Sequence, residues 1–155
     1  MKKIFYFVII LIGLSACTQQ SKTNDYLLLT GESEHWKLSD YEILLTPNGE
    51  TIGNGKLIMK NANEYFTDSF SFRTYVVVDG TSNRVHTGSV SGKTDISKQT
   101  TGKIEKDGHN ANALSLKNID NIYIEIEWTD QETKGNKRER IDLYNKSKDK
   151  NRLIN

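Results

Sequence analysis

The chain has 155 residues, of which 35% are hydrophobic and 26% are charged, and its formal net charge is +1. This length suits one domain with a single core. The near balance of basic and acidic side chains argues against a general nucleic-acid-binding protein. Cys17 is the only cysteine, which excludes an intrachain disulfide and a zinc site built from several thiolates.

The first sixteen residues have the layout of a secretory signal. Two lysines at the start supply positive charge, an apolar run covers 4–14, and Ser15 and Ala16 come immediately before Cys17. The run has eleven residues, whereas a membrane-spanning helix needs about 20. The sequence therefore predicts a signal peptide, 1–16, rather than a permanent transmembrane anchor.

The tetrapeptide Leu14-Ser15-Ala16-Cys17 resembles the lipobox of bacterial lipoproteins. The resemblance implies cleavage before Cys17 and a diacylglyceryl group joined to its sulfur. Two acyl chains suffice for stable attachment, whereas a single chain holds only marginally. Removing 16 of the 155 residues leaves 139, with 19 basic and 20 acidic side chains. We expect this chain to be anchored by lipid on the extracytoplasmic face of a cell membrane.

The mature chain divides into a tether, one domain and a tail. Residues 17–25 combine the lipidated cysteine with a polar stretch typical of a flexible tether. Residues 26–144 carry the apolar patterns of the folded domain, and 145–155 form a basic, polar tail. The basic residues of the tail are Lys146, Lys148, Lys150 and Arg152. Solvation of such a tail is the favoured interpretation, and attraction to anionic lipid or cell-wall polymer is the alternative.

Short apolar segments separated by turn signals follow one another along the domain. Alternation and β-branched or aromatic residues predict strands over 26–30, 34–37, 40–46, 56–60, 69–79, 84–91, 101–106 and 113–117. Turns are predicted at Pro47-Asn48-Gly49, Asn54-Gly55 and Asp79-Gly80. No segment of the domain shows a sustained period of 3.6 residues, which would indicate a helix.

The clearest pair of strands lies near the end of the domain. Apolar and polar residues alternate over 122–128, and the same period of two resumes over 140–144 beyond a polar loop. This pattern predicts a hairpin in which Ile141 and Leu143 share a buried face with the even-numbered residues of 122–128.

The domain is therefore predicted to be all-β. Its turn signals recur at roughly the 8 to 12 residue spacing of sandwiches and barrels. We expect an antiparallel β-sandwich of about 7 to 9 strands after an N-terminal lipoprotein signal helix. The period of the sequence does not distinguish a sandwich from a closed barrel, which is the alternative.

The segment Gly31-Glu32-Ser33-Glu34-His35-Trp36-Lys37 follows shortly after the tether. It resembles a G-E-S-x-x-W-K pattern near the mature amino terminus of small, uncharacterised surface lipoproteins from Gram-positive, Bacillus-like bacteria. The resemblance implies a β-rich surface protein and supplies no activity.

Glu125 and Glu127 are two residues apart on a predicted strand and so point to the same face. Their separation overlaps the range used by the carboxylate pair of glycosidases, which makes a hydrolase one hypothesis. One compatible register of the hairpin places Glu127 opposite Arg138 and Glu125 opposite Arg140. A solvated ladder of ion pairs is the favoured interpretation.

No spacing in the sequence predicts a metal site or a catalytic residue. The loop 130–136 offers two carboxylates to calcium, but Lys134 and Lys137 oppose a divalent cation and the EF-hand spacing is absent. A hairpin loop is therefore the favoured interpretation. The histidines, at positions 35, 86 and 109, lack the spacing of zinc ligands. We expect no cofactor and no metal.

The two tryptophans suggest a different kind of site, because an exposed indole is a flat platform for stacking a sugar. Trp128 shares its predicted face with three isoleucines, which favours core packing. Trp36 is therefore the candidate ligand-binding residue. Its alternative position is beneath the tether.

Together these features favour a monomeric, non-enzymatic binding module that contacts the membrane through lipid on Cys17. Its partner would be a protein or a cell-wall glycan, and not a nucleic acid. One alternative is a glycan- or small-ligand-binding surface protein that uses Trp36, which would show a concave pocket. Another is a hydrolase that uses Glu125 and Glu127. A protein-binding module would instead show an exposed apolar patch.

Overall fold

The computed structural model describes residues 24–107 and 114–148, and in this part of the chain it contains ten strands and no helix. The strands are β1 (Asp25–Glu32), β2 (Trp36–Thr46), β3 (Gly49–Gly53), β4 (Lys56–Met59), β5 (Phe66–Val78), β6 (Thr81–Asp95), β7 (Lys98–Thr100), β8 (Lys103–Asp107), β9 (Ile119–Thr129) and β10 (Asn136–Asn145). The predicted signal peptide, Cys17 and most of the tether lie outside the described residues. No helix among the described residues has the length and apolar character needed to cross a bilayer.

The strands form two antiparallel sheets. The first has the order β7-β4-β2-β3-β8, with β1 paired to β2, and the second has the order β10-β9-β5-β6. Side chains from both sheets form one hydrophobic core. The prediction of an all-β, antiparallel sandwich is confirmed.

The first sheet contains two interrupted strands. β3 and β4 pair with β2 in one continuous register, from Thr46 opposite Gly49 to Trp36 opposite Met59. β8 and β7 pair with β3 and β4 in the same way. Each pair of short strands therefore fills one position in the sheet. This explains why ten strands are found where about 7 to 9 were expected.

The prediction of a reversing turn at Asn54-Gly55 is wrong, because the chain continues past it in the same direction. Two hydrogen bonds stabilise the interruption between β3 and β4. Asn54 N donates to Gly102 O at 2.7 Å, and Thr101 N donates to Gly55 O at 2.9 Å. Gly53 has a φ of 136°, and a Cβ at that position would lie 2.1 Å from Gly102 O. Glycine is therefore required where the strand bends.

The other two predicted turns are confirmed. Asp79 and Gly80 have φ values of 49° and 74° and join β5 to β6, as a two-residue hairpin turn requires. Pro47-Asn48 joins β2 to β3. The predicted strand over 113–117 is wrong for its described residues, which lie in a turn where Asn118 N donates to Ser115 O at 2.9 Å.

The hairpin of β9 and β10 forms as predicted. Its register places Ile141 opposite Ile124, Arg138 opposite Glu127 and Arg140 opposite Glu125. The even-numbered residues of 122–128 are buried together with Ile141 and Leu143. Full burial of each such aliphatic side chain contributes about 1.5 to 3 kcal/mol.

Two edge strands from different sheets meet beside this hairpin. A Cβ on Gly31 of β1 would lie 2.5 Å from Ile141 Cγ2 and 3.0 Å from Asp142 O of β10. Only glycine allows this approach without displacement of the β10 backbone. The turn 33–35, which follows β1, is thereby brought against β10.

The first residues of the predicted tail continue the domain. β10 ends at Asn145, and Lys146 N donates to Asp120 O at 2.9 Å. The Lys146 ammonium also donates to Lys117 O. Lys150 and Arg152 lie outside the described residues, so the predicted interaction of the tail with anionic surfaces stays a prediction.

Candidate functional site

Trp36 is not exposed, and the hypothesis that it forms an open stacking platform is wrong. Its side chain has no accessible surface, and its ring centroid lies 5.4 Å from that of Phe70 and 5.7 Å from that of Trp128. The reason is a break in the alternation of β2. Asp40 has a φ of 57°, so inward-facing positions are even-numbered before it and odd-numbered after it. Trp128 lies in the core, as predicted.

Glu125 and Glu127 form the ladder of ion pairs that the sequence favoured. Glu125 pairs with Arg138 Nη2. Glu127 lies 2.8 Å from Arg73 Nη1 and 3.5 Å from Arg138 Nε. The two carboxylates thus share the guanidinium of Arg138, and both are engaged in ion pairs.

Arg140 extends this polar surface in a way that the register alone did not predict. It pairs with Asp142 at 2.6 Å rather than with Glu125 opposite. Its guanidinium carbon lies 3.6 Å from the centroid of the Tyr123 ring, which in turn stacks on Tyr75 at 5.0 Å. The outer face of β5, β9 and β10 therefore carries side chains that pair with one another.

In the loop after β9, the carboxylate of Asp130 stabilises the loop itself. Asp130 accepts hydrogen bonds from Thr133 N and Thr133 Oγ1 at 2.9 Å, from Tyr65 at 2.8 Å and from Lys137 at 2.9 Å. The bonds from Thr133, together with those from Lys137 and Tyr65, hold the pKa of Asp130 far below its usual range. Both of its oxygens are already engaged, as expected for a hairpin loop rather than a calcium site.

A small polar cluster crosses the core between the sheets. The Tyr41 hydroxyl lies 2.9 Å from Thr74 Oγ1 and 2.9 Å from His86 Nδ1, and all three side chains are buried. Burial raises the pKa of Tyr41 well above its usual value. Burial, assisted by the Lys106 ammonium, lowers the pKa of His86. The cluster is therefore neutral at physiological pH.

The turn between β1 and β2 brings titratable side chains together with one from β10. Ser33 N donates to Trp36 O at 2.8 Å, which closes the turn. The Glu139 carboxylate of β10 accepts hydrogen bonds from Ser33 Oγ at 2.6 Å and from His35 N at 3.0 Å, both on Oε2. Its other oxygen, Oε1, contacts His35 Nδ1.

The charge of Glu139 is stabilised by these contacts. Its side chain is 14% exposed, and β10 directs it to the same side as Ile141, two residues further on. Burial alone would raise the pKa of Glu139, but the hydrogen bonds from Ser33 and His35 outweigh it and lower the pKa. An ionised carboxylate is thus held against the imidazole.

Glu34 completes the group. One carboxylate oxygen of Glu34, one ring nitrogen of His35 and one carboxylate oxygen of Glu139 all lie within 4.8 Å of one another. Glu34 is exposed and has no side-chain partner among the described residues. We call Glu34, His35 and Glu139 the turn cluster.

The sequence did not predict the turn cluster. His35 and Glu139 are 104 positions apart, and they lie on elements of different sheets. The only signal was indirect, since the G-E-S-x-x-W-K resemblance drew attention to Ser33 and His35. The order Ser33–Glu139–His35 also differs from a nucleophilic triad, in which the imidazole lies between the hydroxyl and the carboxylate.

Among the residues that the structure describes, the most exposed large apolar side chains lie on the edge strand β1. Tyr26 is 55% exposed and Leu28 is 57% exposed, and the period of two places them on one face. Elsewhere, two surface depressions of about 300 Å³ are lined mostly by polar side chains. Small-molecule sites are lined mainly by apolar groups, so β1 is the better candidate interaction surface.

Comparison with known protein families, with curated proteins and with solved structures finds no match to this chain.

Proposed function

We propose that the chain is an exported lipoprotein, held by lipid on Cys17 to the outer face of the cytoplasmic membrane of a Gram-positive bacterium. The observation that carries this proposal is the apolar run 4–14 followed by Leu14-Ser15-Ala16-Cys17. β1 begins at Asp25, eight positions after Cys17. Eight extended residues span at most about 28 Å, so the sandwich would remain close to the membrane surface.

The sandwich serves as a non-enzymatic module that binds a protein partner through β1. The exposed Tyr26 and Leu28 support this class, because apolar side chains that share an edge strand are suited to contact with another chain. Burial of Trp36 removes the observation that favoured a glycan. The ion pairs of Glu125 and Glu127 support a structural role for that carboxylate pair.

Anchoring is tested by Cys17→Ser in the producing cells. The wild-type chain incorporates an alkyne analogue of palmitate and partitions into the detergent phase of Triton X-114. Cys17→Ser abolishes both, because a serine hydroxyl does not replace the sulfur nucleophile. Ser21→Ala, in the predicted tether, is the matched control and retains both. An unlabelled wild-type chain, or a labelled Cys17→Ser chain, contradicts the proposal.

The binding surface is tested by photo-crosslinking on intact cells. A photoreactive amino acid at position 28 gives a discrete adduct, whereas the same amino acid at the exposed position 89 of β6 gives none. Addition of excess purified domain suppresses the adduct at position 28, and domain carrying Leu28→Glu does not. Equal adducts at the two positions, or none at position 28, contradict binding through β1.

A further inference from the structure

The turn cluster brings together three side chains whose atoms are metal ligands in proteins. Imidazole nitrogen and carboxylate oxygen are the donors that zinc accepts beside thiolate. They come from Glu34 and His35 in the turn after β1 and from Glu139 on β10. Three protein ligands that leave a fourth position for water are a common zinc arrangement.

Two of the three ligands, His35 and Glu139, are also held in place by groups around them. Glu139 Oε2 accepts hydrogen bonds from Ser33 Oγ and His35 N, so Oε1 faces the His35 ring. That ring packs against Trp128, with centroids 5.9 Å apart. Carboxylate ligands of metals are typically oriented by such hydrogen bonds, and loss of an orienting partner costs about 10 to 100-fold in affinity.

The charges around the cluster favour a cation. Two carboxylates, those of Glu34 and Glu139, lie within the same 4.8 Å group. Lys60 is the ammonium beside this turn, but it donates to Ser33 O at 2.7 Å and lies 4.0 Å from Glu32. Glu34 has no cationic partner among the described residues.

Only a small movement is needed to form the site. Zinc–ligand bonds of about 2.1 Å place tetrahedral ligand atoms about 3.4 Å apart. His35 Nδ1 and Glu139 Oε1, which are in contact, would separate to admit the ion. Glu34 would approach by at most about 1.4 Å from the present 4.8 Å limit, which its exposed side chain permits.

We propose that Glu34, His35 and Glu139 bind one divalent transition-metal ion of the zinc class. The imidazole selects against calcium and magnesium, which prefer oxygen ligands alone. The site goes beyond the proposed anchoring and protein binding and does not depend on either. The alternative to a metal site is an ion pair between His35 and Glu139 that binds no metal.

The test is calorimetric titration of ZnCl₂ into the full chain, purified in mild detergent without a histidine tag. Every chain carries Cys17→Ser, which removes a competing thiol and separates the result from that of lipidation. One saturable equivalent is expected for the parent chain, with no comparable binding of CaCl₂. Absence of zinc binding up to 1 mM, or equal binding of calcium, overturns the proposal.

Glu34→Gln is the decisive variant, because Glu34 has no side-chain partner to lose within 24–107 and 114–148. It lowers the zinc affinity at least tenfold, since a direct ligand contributes no less than an orienting group. Its unfolding midpoint without metal equals that of the parent chain. Glu105→Gln, the same exchange at an exposed position of β8, leaves zinc binding unchanged. Equal zinc affinity in Glu34→Gln and Glu105→Gln overturns the proposal.

Discussion

Removal of the Tyr41 hydroxyl tests how the polar cluster contributes to the core. In Tyr41→Phe the ring still packs between the sheets, but Thr74 and His86 lose a partner that lies 2.9 Å from each. A buried polar group without a partner costs about 1 to 3 kcal/mol. Part of this cost is offset because the variant has no hydroxyl to remove from water. We therefore expect a net loss of about 1 to 3 kcal/mol, or roughly 3 to 5 °C in melting temperature per kcal/mol.

The assay is urea and thermal unfolding followed by circular dichroism, on residues 17–155 carrying Cys17→Ser. Tyr75→Phe is the matched control, because Tyr75 lies on the outer face and its stacking on Tyr123 needs no hydroxyl. It should change the free energy of unfolding by less than about 0.5 kcal/mol. Adding Thr74→Val to Tyr41→Phe should recover part of the loss, since both polar partners are then absent. Equal stability of Tyr41→Phe and Tyr75→Phe would contradict a stabilising role of the Tyr41 hydroxyl in the core.

Three further predictions concern stability. Trp36→Ala should cost about 3 to 5 kcal/mol in urea unfolding, because the ring is fully buried, and a loss below about 1 kcal/mol would contradict its core position. Gly31→Ala should cost about 1 to 3 kcal/mol, because its Cβ meets Ile141 and the Asp142 backbone; an unchanged unfolding midpoint would contradict this close approach. Because the pKa of His86 is lowered in the folded chain, the unfolded chain binds a proton at this residue more readily. The contribution of neutral His86 to the free energy of unfolding is therefore fully present above about pH 6.5 and decreases as the pH falls below that value. His86→Asn should reduce that slope, and an unchanged slope would be contrary evidence.

The all-β fold could be predicted because its signal is local. Alternation over 122–128 and 140–144 identified a hairpin whose register, Glu127 opposite Arg138, the structure reproduces. Asp79-Gly80 likewise contained the positive-φ residues that its turn needs. Where an alternation with a period of two was followed by a turn signal, the sequence alone was sufficient to predict the strands and the turn that joins them.

The errors come from local backbone geometry that the pattern of apolar residues does not show. Asn54-Gly55 has the composition of a hairpin turn, but hydrogen bonds with residues 101–102, between β7 and β8, keep the chain running forward. Trp36 looked separate from the strand over 40–46 because Asp40 shifts the alternation by one residue. Neither the bonds to 101–102 nor the positive φ of Asp40 is visible in the pattern of nearby residues.

The turn cluster could not be predicted for a related reason. It requires β1 and β10 to meet, and their approach depends on Gly31 packing against Ile141 in the other sheet. Only the full topology brings Glu139 to His35 across 104 residues. The sequence placed His35 in the G-E-S-x-x-W-K segment without assigning it a role, and nothing in the pattern indicated its partner.

The most direct test of lipid anchoring at Cys17 is mass spectrometry of the chain isolated from its own membranes. Trypsin should release the N-terminal peptide 17–22, which contains Cys17 and ends at Lys22. We expect this peptide to begin at Cys17 and to carry a diacylglyceryl group on its sulfur. A chain that still begins at Met1, or a peptide with a free thiol at Cys17, would contradict it.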